Sequence, residues 1–231
     1  MPTVEVNTRT MQTMTRAVRR KRVNGEESRE RILEAAAEVA SDRGYEGTSI
    51  SLVSERSGLP ASSIYWHFED KDHLIAAVIE RSFDRWLEGM GAWVPKTKGA
   101  SRDQLFISSF AQTAKALTEA PVFLRLGLML GLERRPEEPT ARNLFLQVRE
   151  QAFHRVMALY AELFDGDLDA ADVRSLATLA MAGTDGLFIA RELNPERVDF
   201  DAQFELLAVA LLAAAKRLSS HSGRSRKMAT R

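Results

Sequence analysis

Residues 48–74 read TSISLVSERSGLPASSIYWHFEDKDHL, and this stretch holds two short helical patterns separated by a glycine turn. Thr48 or Ser49 can cap the first short helix, which ends at Gly58. Leu59 and Pro60 then turn the chain into a second short helix over 61–68. Two short helices joined by a tight turn after a longer helix are typical of a helix-turn-helix, whose second helix enters the major groove of DNA.

The rest of the chain also has helical spacing. A longer helix over 28–43 precedes the motif, with Ser28 as its N-cap and Gly44 as its stop, and Asp70 caps a fourth helix. Further helical patterns cover 101–119, 121–134, 140–164, 170–192 and 201–219, and 89–101 is the most loop-like internal stretch. No alternating strand pattern persists. We therefore expect an all-α fold, with an N-terminal three-helix helix-turn-helix domain and a C-terminal helical domain.

Composition excludes several classes of function. The chain has 231 residues, of which 45% are apolar and 28% are charged, as in an ordinary globular protein. It has no cysteine, and its four histidines are scattered, so we expect no metal site and no cofactor. No nucleophile with a base, no paired carboxylates and no glycine-rich phosphate loop point to an enzyme. No apolar run could span a membrane and no signal peptide is evident, so we expect a cytoplasmic protein without a membrane partner.

Charge is distributed unevenly along the chain. The segment 9–22 has six basic residues and no acidic one, and so does the segment 216–231. The body between them has 20 basic and 31 acidic residues and so a net charge of −11. Basic ends suit contact with nucleic acid, although disordered tails that only improve solubility explain either end alone as well. We predict a basic flexible arm over 1–27, a DNA-binding domain over 28–75, an effector-binding and dimerisation domain over 76–220, and a basic tail over 221–231.

The N-terminal residues of the second short helix are the ones that face base edges in a helix-turn-helix. Here they are Ala61, Ser62 and Ser63, whose small side chains permit a close approach and whose hydroxyls can bind bases or phosphates. The following residues carry polar groups on large flat rings and suit the phosphates and sugars along the groove; they are Tyr65, Trp66 and His67. Tyr65 and Trp66 could instead pack the core, but Ile64 and Phe68 already supply an apolar pair at helical spacing.

The same stretch resembles the signature of the TetR family: a Thr-led helix, a glycine turn, a Tyr-x-His-Phe ending and a lysine three residues after the phenylalanine. The resemblance is close over 28–79 and elsewhere extends only to length, helical content and the closing long helices. It implies base contacts from the start of the reading helix, with Trp66 as a further candidate. It implies phosphate contacts from Thr48 or Ser49, Ser51, Tyr65, His67 and Lys71.

The sequence departs from the family pattern at three points. Pro60 stands where a capping serine is usual, and Leu52 replaces a polar surface residue, either as a core contact or as an apolar contact to a thymine methyl. The reading helix also lacks Arg, Lys, Asn and Gln, which make the bidentate base contacts. Part of the specificity must then come from elsewhere, and arginines of a flexible arm can read the minor groove. We assign this role to Arg19, Arg20 and Arg22.

The middle of the chain is rich in large apolar residues at helical spacing. Such a stripe is more often plain core than a ligand pocket. The resemblance to the family implies an effector cavity among these helices, largely apolar and suited to a small hydrophobic molecule. The residues that would line it are Trp86, Trp93, Phe106, Phe110, Phe123, Met129, Gln151, His154 and Met157.

The last two long helices carry small and aliphatic faces. The resemblance implies that they pair with their symmetry mates in a four-helix homodimer interface, formed by Ala177, Ala180, Met181, Thr184, Leu187, Leu207, Ala208, Leu211, Leu212 and Ala215. A two-fold dimer would place two reading helices on the two halves of a palindromic DNA operator.

These patterns together predict a DNA-binding transcriptional regulator, specifically a repressor that leaves its double-stranded operator when a small hydrophobic effector binds. The alternative is an architectural or constitutive DNA-binding factor with no effector. A ligand-binding or scaffolding protein with a vestigial helix-turn-helix is a weaker alternative, because Tyr65, His67 and Lys71 are all present. The fourth helix, which begins at Lys71 and ends near Trp86, would couple effector binding to DNA release.

Overall fold

The structure, a computed structural model, describes the backbone of residues 8–90, 99–133 and 139–229, and the side chains of these ranges from residue 24 to residue 220. Within these ranges every regular element is helical, as expected for the all-α class. The α-helices are α1 (Thr8–Gly47), α2 (Ile50–Ser57), α3 (Ala61–His67), α4 (Lys71–Met90), α5 (Arg102–Glu119), α6 (Val122–Leu132), α7 (Thr140–Leu163), α8 (Ala170–Leu193) and α9 (Phe200–Ala229).

Helix α1 is longer than the sequence predicts. It starts at Thr8 rather than at Ser28, so residues 8–27, which we assigned to a basic arm, are helical. The stretch from Thr8 to Asn24 has no proline or glycine and many Arg, Met, Gln and Lys residues, which favour a helix. The N-cap predicted at Ser28 is wrong, because its hydroxyl donates to the carbonyl of Asn24 at 2.8 Å inside the helix. Gly44 interrupts the helical geometry with a φ of 69°, at the predicted stop.

The remaining helices follow the predicted pattern closely. The helices α5 to α8 begin and end within two residues of the predicted limits, whereas α9 continues past the predicted end at residue 219. Ser101 caps α5 in a reciprocal capping box with Gln104. Most of the stretch 89–101, predicted as a loop, lies outside the described residues. None of the described helices is both long enough and apolar enough to cross a membrane.

The chain forms two compact units. The first contains the described residues up to Ile79 together with Arg125–Asn143, and the second contains Glu80–Leu124 together with the chain from Leu144 onward. The segment Arg125–Asn143, which the predicted boundaries place with the effector domain, thus belongs to the first unit. Helices α4, α6 and α7 each begin in one unit and end in the other.

The first unit is built around the helix-turn-helix. Helix α1 packs on α2 and α3, and α2 packs on α3. Its core consists of fully buried aliphatic side chains from these helices and from the start of α4, among them Ile32, Leu33, Val53, Ile64, Leu74 and Ile75. Burial of this kind stabilises each side chain by about 1.5–3 kcal/mol, so it fixes the two short helices that could not stand alone.

The second unit is a helical bundle in which α5 and α8 both pack on α9. Phe106, Phe188 and Phe204 are its largest fully buried side chains. Gly183 lets α8 approach α9 closely, because a β-carbon at this position would lie 2.7 Å from Cδ1 of Leu207. The absence of a side chain there therefore sets the spacing of the two helices.

Candidate DNA-binding site and ligand cavity

The turn between α2 and α3 has the geometry that the sequence predicts. Ser49 is the N-cap of α2, and its hydroxyl oxygen accepts the N–H of Leu52 at 3.3 Å. Gly58 ends the helix in the left-handed region, with a φ of 66°. Arg31 of α1 donates from Nη2 to the carbonyl of Ser57 at 2.7 Å. These contacts fix the angle at which α3 leaves α2.

Pro60 is the N-cap residue of α3 and makes no side-chain hydrogen bond to the helix. Its φ of −64° and ψ of 150° bring the chain into the helix without strain. The serine cap that is usual in the family is therefore absent, as the sequence indicates, but Ser63 still donates its N–H to the carbonyl of Pro60 at 2.8 Å. The helix begins at Ala61 despite the lost cap.

Helix α3 turns two aromatic side chains to solvent. Ile64 and Phe68 are buried, whereas Tyr65 is 57% exposed and Trp66 is 73% exposed. Ser62 is exposed, and the short side chains at the first and third positions of the helix are half-buried. The predicted division of α3 into a core face and an open face is thus present, and contact of the open face with DNA stays a prediction.

The indole of Trp66 is close to two other residues of the first unit, His67 and Gly25. Its ring packs edge-on against the imidazole of His67, with 4.5 Å between the ring centroids. A β-carbon at Gly25 of α1 would lie 3.7 Å from the indole, so α1 passes directly beside it.

Leu52 of α2 is half-buried. Both of its proposed roles, a core contact and an apolar contact to a thymine methyl, therefore stay predictions.

The hydroxyls at the start of α2 have different surroundings. Thr48 is only 2% exposed, and its Oγ1 donates to the carbonyl of Gly44 at 2.7 Å. Because the buried Thr48 hydroxyl donates its one proton to this carbonyl, it cannot also donate to a phosphate. Of the two alternatives, Thr48 is therefore ruled out and Ser49 is left. Ser49 and Ser51 are exposed, and their contact with phosphate stays a prediction.

Lys71, at the first position of α4, is held by Tyr45. Its ammonium lies 4.4 Å from the centroid of the Tyr45 ring and donates to the Tyr45 carbonyl at 3.3 Å. The Nζ atom is also 3.6 Å from a carboxylate oxygen of Glu46, and the side chain is partly exposed. The lysine is therefore ordered while keeping donor capacity for a phosphate.

Arg29 is a further cation at this surface that the sequence pattern did not point to. Its guanidinium lies 5.5 Å above the ring of Phe68. Burial lowers the pKa of His67, and the positive charge of Arg29 lowers it further. His67 is therefore a neutral imidazole at neutral pH, and Arg29 supplies a positive charge near it.

The turn before α4 holds a second histidine with the opposite shift. The N–H of His73 donates to the Asp70 carboxylate at 2.8 Å, which confirms Asp70 as the cap of α4. The ring nitrogen Nδ1 of His73 lies 2.9 Å from the same oxygen, and this hydrogen bond raises the pKa of His73. The backbone and ring contacts of His73 in turn lower the pKa of Asp70.

The predicted minor-groove residues Arg19, Arg20 and Arg22 lie on helix α1, but their side chains are outside the described residues. Their role in DNA binding stays a prediction.

The second unit contains a small cavity between α4, α5, α7 and α8. Its volume is about 60 Å³, and its walls are mostly apolar with three hydroxyl side chains and one phenol. The lining residues are Trp86, Met90, Ser109, Phe110, Thr113, Val156, Leu159, Tyr160, Ala180, Met181 and Thr184. Burial raises the pKa of Tyr160 well above its ordinary value, so the phenol is a neutral hydrogen-bonding group in this wall.

Only part of the predicted pocket lines this cavity. Trp86 and Phe110 do so. Phe106 packs instead against Phe110, Tyr160 and Phe164 in the core, and the ring of Phe123 lies 5.4 Å from that of Trp86 without reaching the cavity.

The other predicted pocket residues lie elsewhere. Met129 belongs to the first unit and is half exposed, while Gln151 and His154 point to solvent, and Met157 is half-buried outside the cavity wall. Trp93 lies outside the described residues. Helical spacing correctly indicated an apolar stripe on α7, but the cavity opens toward the side of the helix that carries Val156 and Tyr160.

Most of the predicted dimer interface is used within the protomer. Ala177, Ala180, Ala208, Leu211, Leu212 and Ala215 are buried, and Leu207 packs on Gly183. Met181 and Thr184 line the cavity, and Leu187 is half-buried. A side chain buried in its own protomer cannot touch a second copy, so the six buried residues are corrected as interface residues. Met181, Thr184, Leu187 and Leu207 are half-buried, and their place in an interface stays a prediction.

The outer faces of the same two helices carry a different apolar stripe. On α8, Leu179, Ala182, Gly186, Ile189 and Leu193 are exposed, and they recur every three or four residues. On α9 the exposed residues with this spacing are Ala202, Leu206, Val209, Ala210 and Ala213. We call these two rows the outer stripe. Exposed apolar rows of this kind mark a surface that a partner covers.

A protein-family model matches this chain over residues 32–78, and it describes bacterial regulatory proteins of the tetR family. The HTH-type transcriptional repressor KstR of Rhodococcus jostii is 33% identical over 97 residues, which are 41% of this chain and 45% of that protein. The HTH-type transcriptional regulator TtgR of Pseudomonas putida is 35% identical over 63 residues, 27% of this chain and 30% of that protein. The chain thus spans less than half the length of these curated relatives.

Solved structures share the fold over most of the chain. The transcriptional regulator FadR from Bacillus subtilis, in complex with stearoyl-CoA, superimposes with a TM-score of 0.65 at 17% identity, covering 80% of this chain and 98% of that one. A transcriptional regulator from Aquifex aeolicus gives a TM-score of 0.63 at 21% identity, with 80% and 98% covered. Similarity at this level of identity establishes the fold.

Proposed function

We propose that this chain, which a model of the tetR family of bacterial regulatory proteins matches over residues 32–78, is a member of that family and acts as a homodimeric transcriptional repressor. In this proposal it binds a palindromic DNA operator and leaves it when a small hydrophobic molecule binds in its second unit. The observation that carries the proposal is the open face of α3, where Tyr65 and Trp66 stand exposed beside small hydroxyl side chains. Large aromatic groups are costly to expose on a solitary protein and useful on a surface that binds DNA.

The charged groups around α3 support DNA as the partner. Lys71 lies over the ring of Tyr45, and Arg29, whose charge also acts on His67, lies over the ring of Phe68. Cations ordered in this way can bind phosphates beside a reading helix with little further loss of side-chain entropy. The small residues of α3 then allow the helix to lie deep in the groove.

We propose the outer stripe as the homodimer interface. Its spacing of three and four residues allows α8 and α9 to pack against the same two helices of a second copy as a four-helix bundle. The small residues Ala182, Gly186 and Ala213 permit close approach of the helices, and Leu193 and Leu206 supply the apolar area. Two copies related by a two-fold axis would then read the two halves of a palindrome.

We propose the apolar cavity of the second unit as the effector site. A volume of about 60 Å³ is far below the ~300–1,000 Å³ of typical ligand pockets, so the cavity must enlarge to accept an effector. A wider groove of about 760 Å³ lies between α5 and the start of α9, but its walls include the four carboxylates of Glu119, Asp199, Asp201 and Glu205, which makes it less suited to an apolar ligand than the cavity. FadR, a structural neighbour, was solved with stearoyl-CoA, which agrees with a hydrophobic effector.

The need to enlarge the cavity supplies the mechanism of release. An effector binds only the state with the larger cavity, and it shifts the population toward that state by its difference in affinity between the two. Helix α4 runs from Lys71 at the DNA-binding surface to Trp86 and Met90 in the cavity wall. A displacement of Trp86 therefore acts on the same helix that carries a predicted DNA contact.

The test is selection of bound fragments from random duplex DNA at physiological salt, followed by affinity measurements on a Tyr65→Ala, Lys71→Ala double variant. Lys115→Ala is the matched control, because it removes an exposed lysine of α5 in the second unit. We expect one palindrome to be enriched, to bind the control variant normally and to be lost by the double variant. Salt-sensitive binding without an enriched sequence would instead favour an architectural DNA-binding factor, since basic segments alone would then dominate.

A further inference from the structure

Two side chains of α4 accept hydrogen bonds from backbone N–H groups in the first turns of α6 and α7. The hydroxyl oxygen of Ser82 accepts the N–H of Phe123, the second residue of α6, at 3.0 Å. The carboxylate of Asp72 accepts the N–H groups of Thr140 at 2.5 Å and of Ala141 at 3.2 Å, the first two residues of α7. These amides have no partner within their own helices, so a bond to a carboxylate is both stabilising and specific.

Asp72 also reaches the residue that holds Lys71. The hydroxyl of the buried Tyr45 donates to Oδ1 of Asp72 at 3.2 Å. The ring and carbonyl of Tyr45 in turn fix the ammonium of Lys71. One continuous set of contacts therefore runs from the start of α7 through Asp72 and Tyr45 to a predicted phosphate contact, all of it within the first unit.

We propose that Asp72 is a positioning residue for DNA binding: it locks Tyr45 in the orientation that presents Lys71 to the phosphate, and it makes that orientation depend on an ordered start of α7. The inference rests on the proposed function, since it concerns the same DNA surface. Further along, α7 carries Val156, Leu159 and Tyr160, which line the cavity. Helix α7 thus provides a second connection between cavity and DNA surface, beside the one along α4.

The coupling between the cap on α7 and DNA binding at Lys71 must be the same in both directions. If the cap on α7 favours the DNA-competent position of Lys71, then DNA bound at Lys71 must protect the cap by the same factor. A cap that only stabilises the fold would show neither effect. The two roles are therefore separable by measuring DNA affinity and amide protection together.

The experiment compares Asp72→Ala with Asp169→Ala. Asp169 is the matched control, because it caps α8 in the second unit by accepting two amides, those of Ala171 and Asp172. Dissociation constants are measured over a series of salt concentrations on the operator that selection recovers, or on a random-sequence duplex pool if no sequence is enriched. Lys71→Ala and the Asp72→Ala, Lys71→Ala double variant complete the cycle.

We expect Asp72→Ala to weaken DNA binding by about fivefold or more. It should also reduce the salt slope, which is the slope of the logarithm of the binding constant against the logarithm of the salt concentration, by about one per lysine lost from contact, as Lys71→Ala does. In the Lys71→Ala background the Asp72 substitution should cause no further loss, and Asp169→Ala should bind as the wild type does. Equal affinity of Asp72→Ala and the wild type, or losses that add in full, would overturn the proposal while leaving the proposed function intact.

Two further measurements cover a poorly folded Asp72→Ala. Tyr45→Phe keeps the ring under Lys71 and the cap on α7 but removes the hydroxyl donor, and we expect a smaller loss of affinity in the same direction. In the wild type, hydrogen exchange at the amides of Thr140 and Ala141 should slow when DNA is added. Unchanged exchange on DNA that binds, or normal affinity of Tyr45→Phe, contradicts the proposal. A wild type that binds no DNA at all would instead refute the proposed function, and the inference with it.

Discussion

Trp66 and Trp86 have the same side chain in opposite surroundings, and the contrast separates DNA binding from folding. Trp66 is mostly exposed on α3, so Trp66→Ala should change the free energy of unfolding by no more than about 0.5 kcal/mol. It should weaken operator binding by about 1–2 kcal/mol, because it removes the largest group on the open face. Trp86→Ala, at a buried site, should lower stability by about 3–5 kcal/mol. Chemical denaturation and fluorescence anisotropy with labelled operator measure the two effects, and normal DNA affinity of Trp66→Ala would refute this role.

His67 and His73 should titrate on opposite sides of the ordinary histidine pKa of 6.5, His67 below it and His73 above it. As the pH falls, His67 is protonated in the unfolded chain at a higher pH than in the folded chain. The free energy of unfolding therefore declines between pH 6.5 and the lowered pKa of the folded state. His67→Gln removes that decline. His73 acts in the opposite sense, because its stabilising contribution is present below pH 6.5 and is lost as the pH rises through its raised pKa. Imidazole NMR titrations and unfolding curves at several pH values check both signs, and coincident titrations would contradict the prediction.

Sequence reasoning at the scale of single residues worked where a position has one possible local role. Gly58 at the end of α2 and Asp70 before α4 follow from local turn and cap chemistry, and both are confirmed. Thr48 and Ser49 are adjacent hydroxyl residues, and which one caps the helix and which is buried depends on the packing of α1. Asp72 could not be found in the sequence, since its partners Thr140 and Ala141 lie far along the chain.

At the scale of helices, the outer stripe makes a direct prediction about assembly. Leu206→Glu places a charge in the proposed interface and should weaken dimerisation by about a hundredfold or more, because burying an unpaired carboxylate costs several kcal/mol. Leu132→Glu is the matched control, since Leu132 is also an exposed leucine, 78% against 60% for Leu206, and lies at the end of α6 outside the stripe. Sedimentation velocity should show a monomer for the first variant and a dimer for the second, each with unchanged helix content. A dimeric Leu206→Glu would move the interface elsewhere.

The ends of the helices were largely predictable from the sequence, whereas the face of each helix that packs inside the protomer was not. Caps and breakers such as Ser101 and Gly44 place the helix ends, because they act within one turn of the chain. Helices α8 and α9 each carry two apolar faces, and periodicity alone cannot say which of them packs inside the protomer. The close contact between Gly183 and Leu207 decides this, and it is a tertiary contact. The predicted interface consequently fell on the inner face.

At the scale of the whole molecule, the contrast between basic ends and an acidic body predicts how the protein finds DNA. A body with a net charge of −11 is repelled by phosphates, so the basic segments must carry a large share of the long-range attraction. The segment 9–22 is continuous with α1, which also packs against the reading helix, whereas the segment 216–231 is part of α9 or follows it. Only the first belongs to the first unit, which carries the proposed DNA-binding surface.

Deletion of residues 1–22 should therefore weaken binding to every duplex and reduce the salt slope by about three per protomer if Arg19, Arg20 and Arg22 contact phosphates or the minor groove. Deletion of residues 222–231, which removes four basic residues from the other end, is the matched control and should leave the slope nearly unchanged. Minor-groove insertion adds a second signature, because a narrow A·T-rich groove attracts arginine more strongly. The wild type should prefer operators with A·T flanks over G·C flanks, and the first deletion should abolish that preference. If both deletions change the slope equally, the N-terminal segment acts only as one more basic tail.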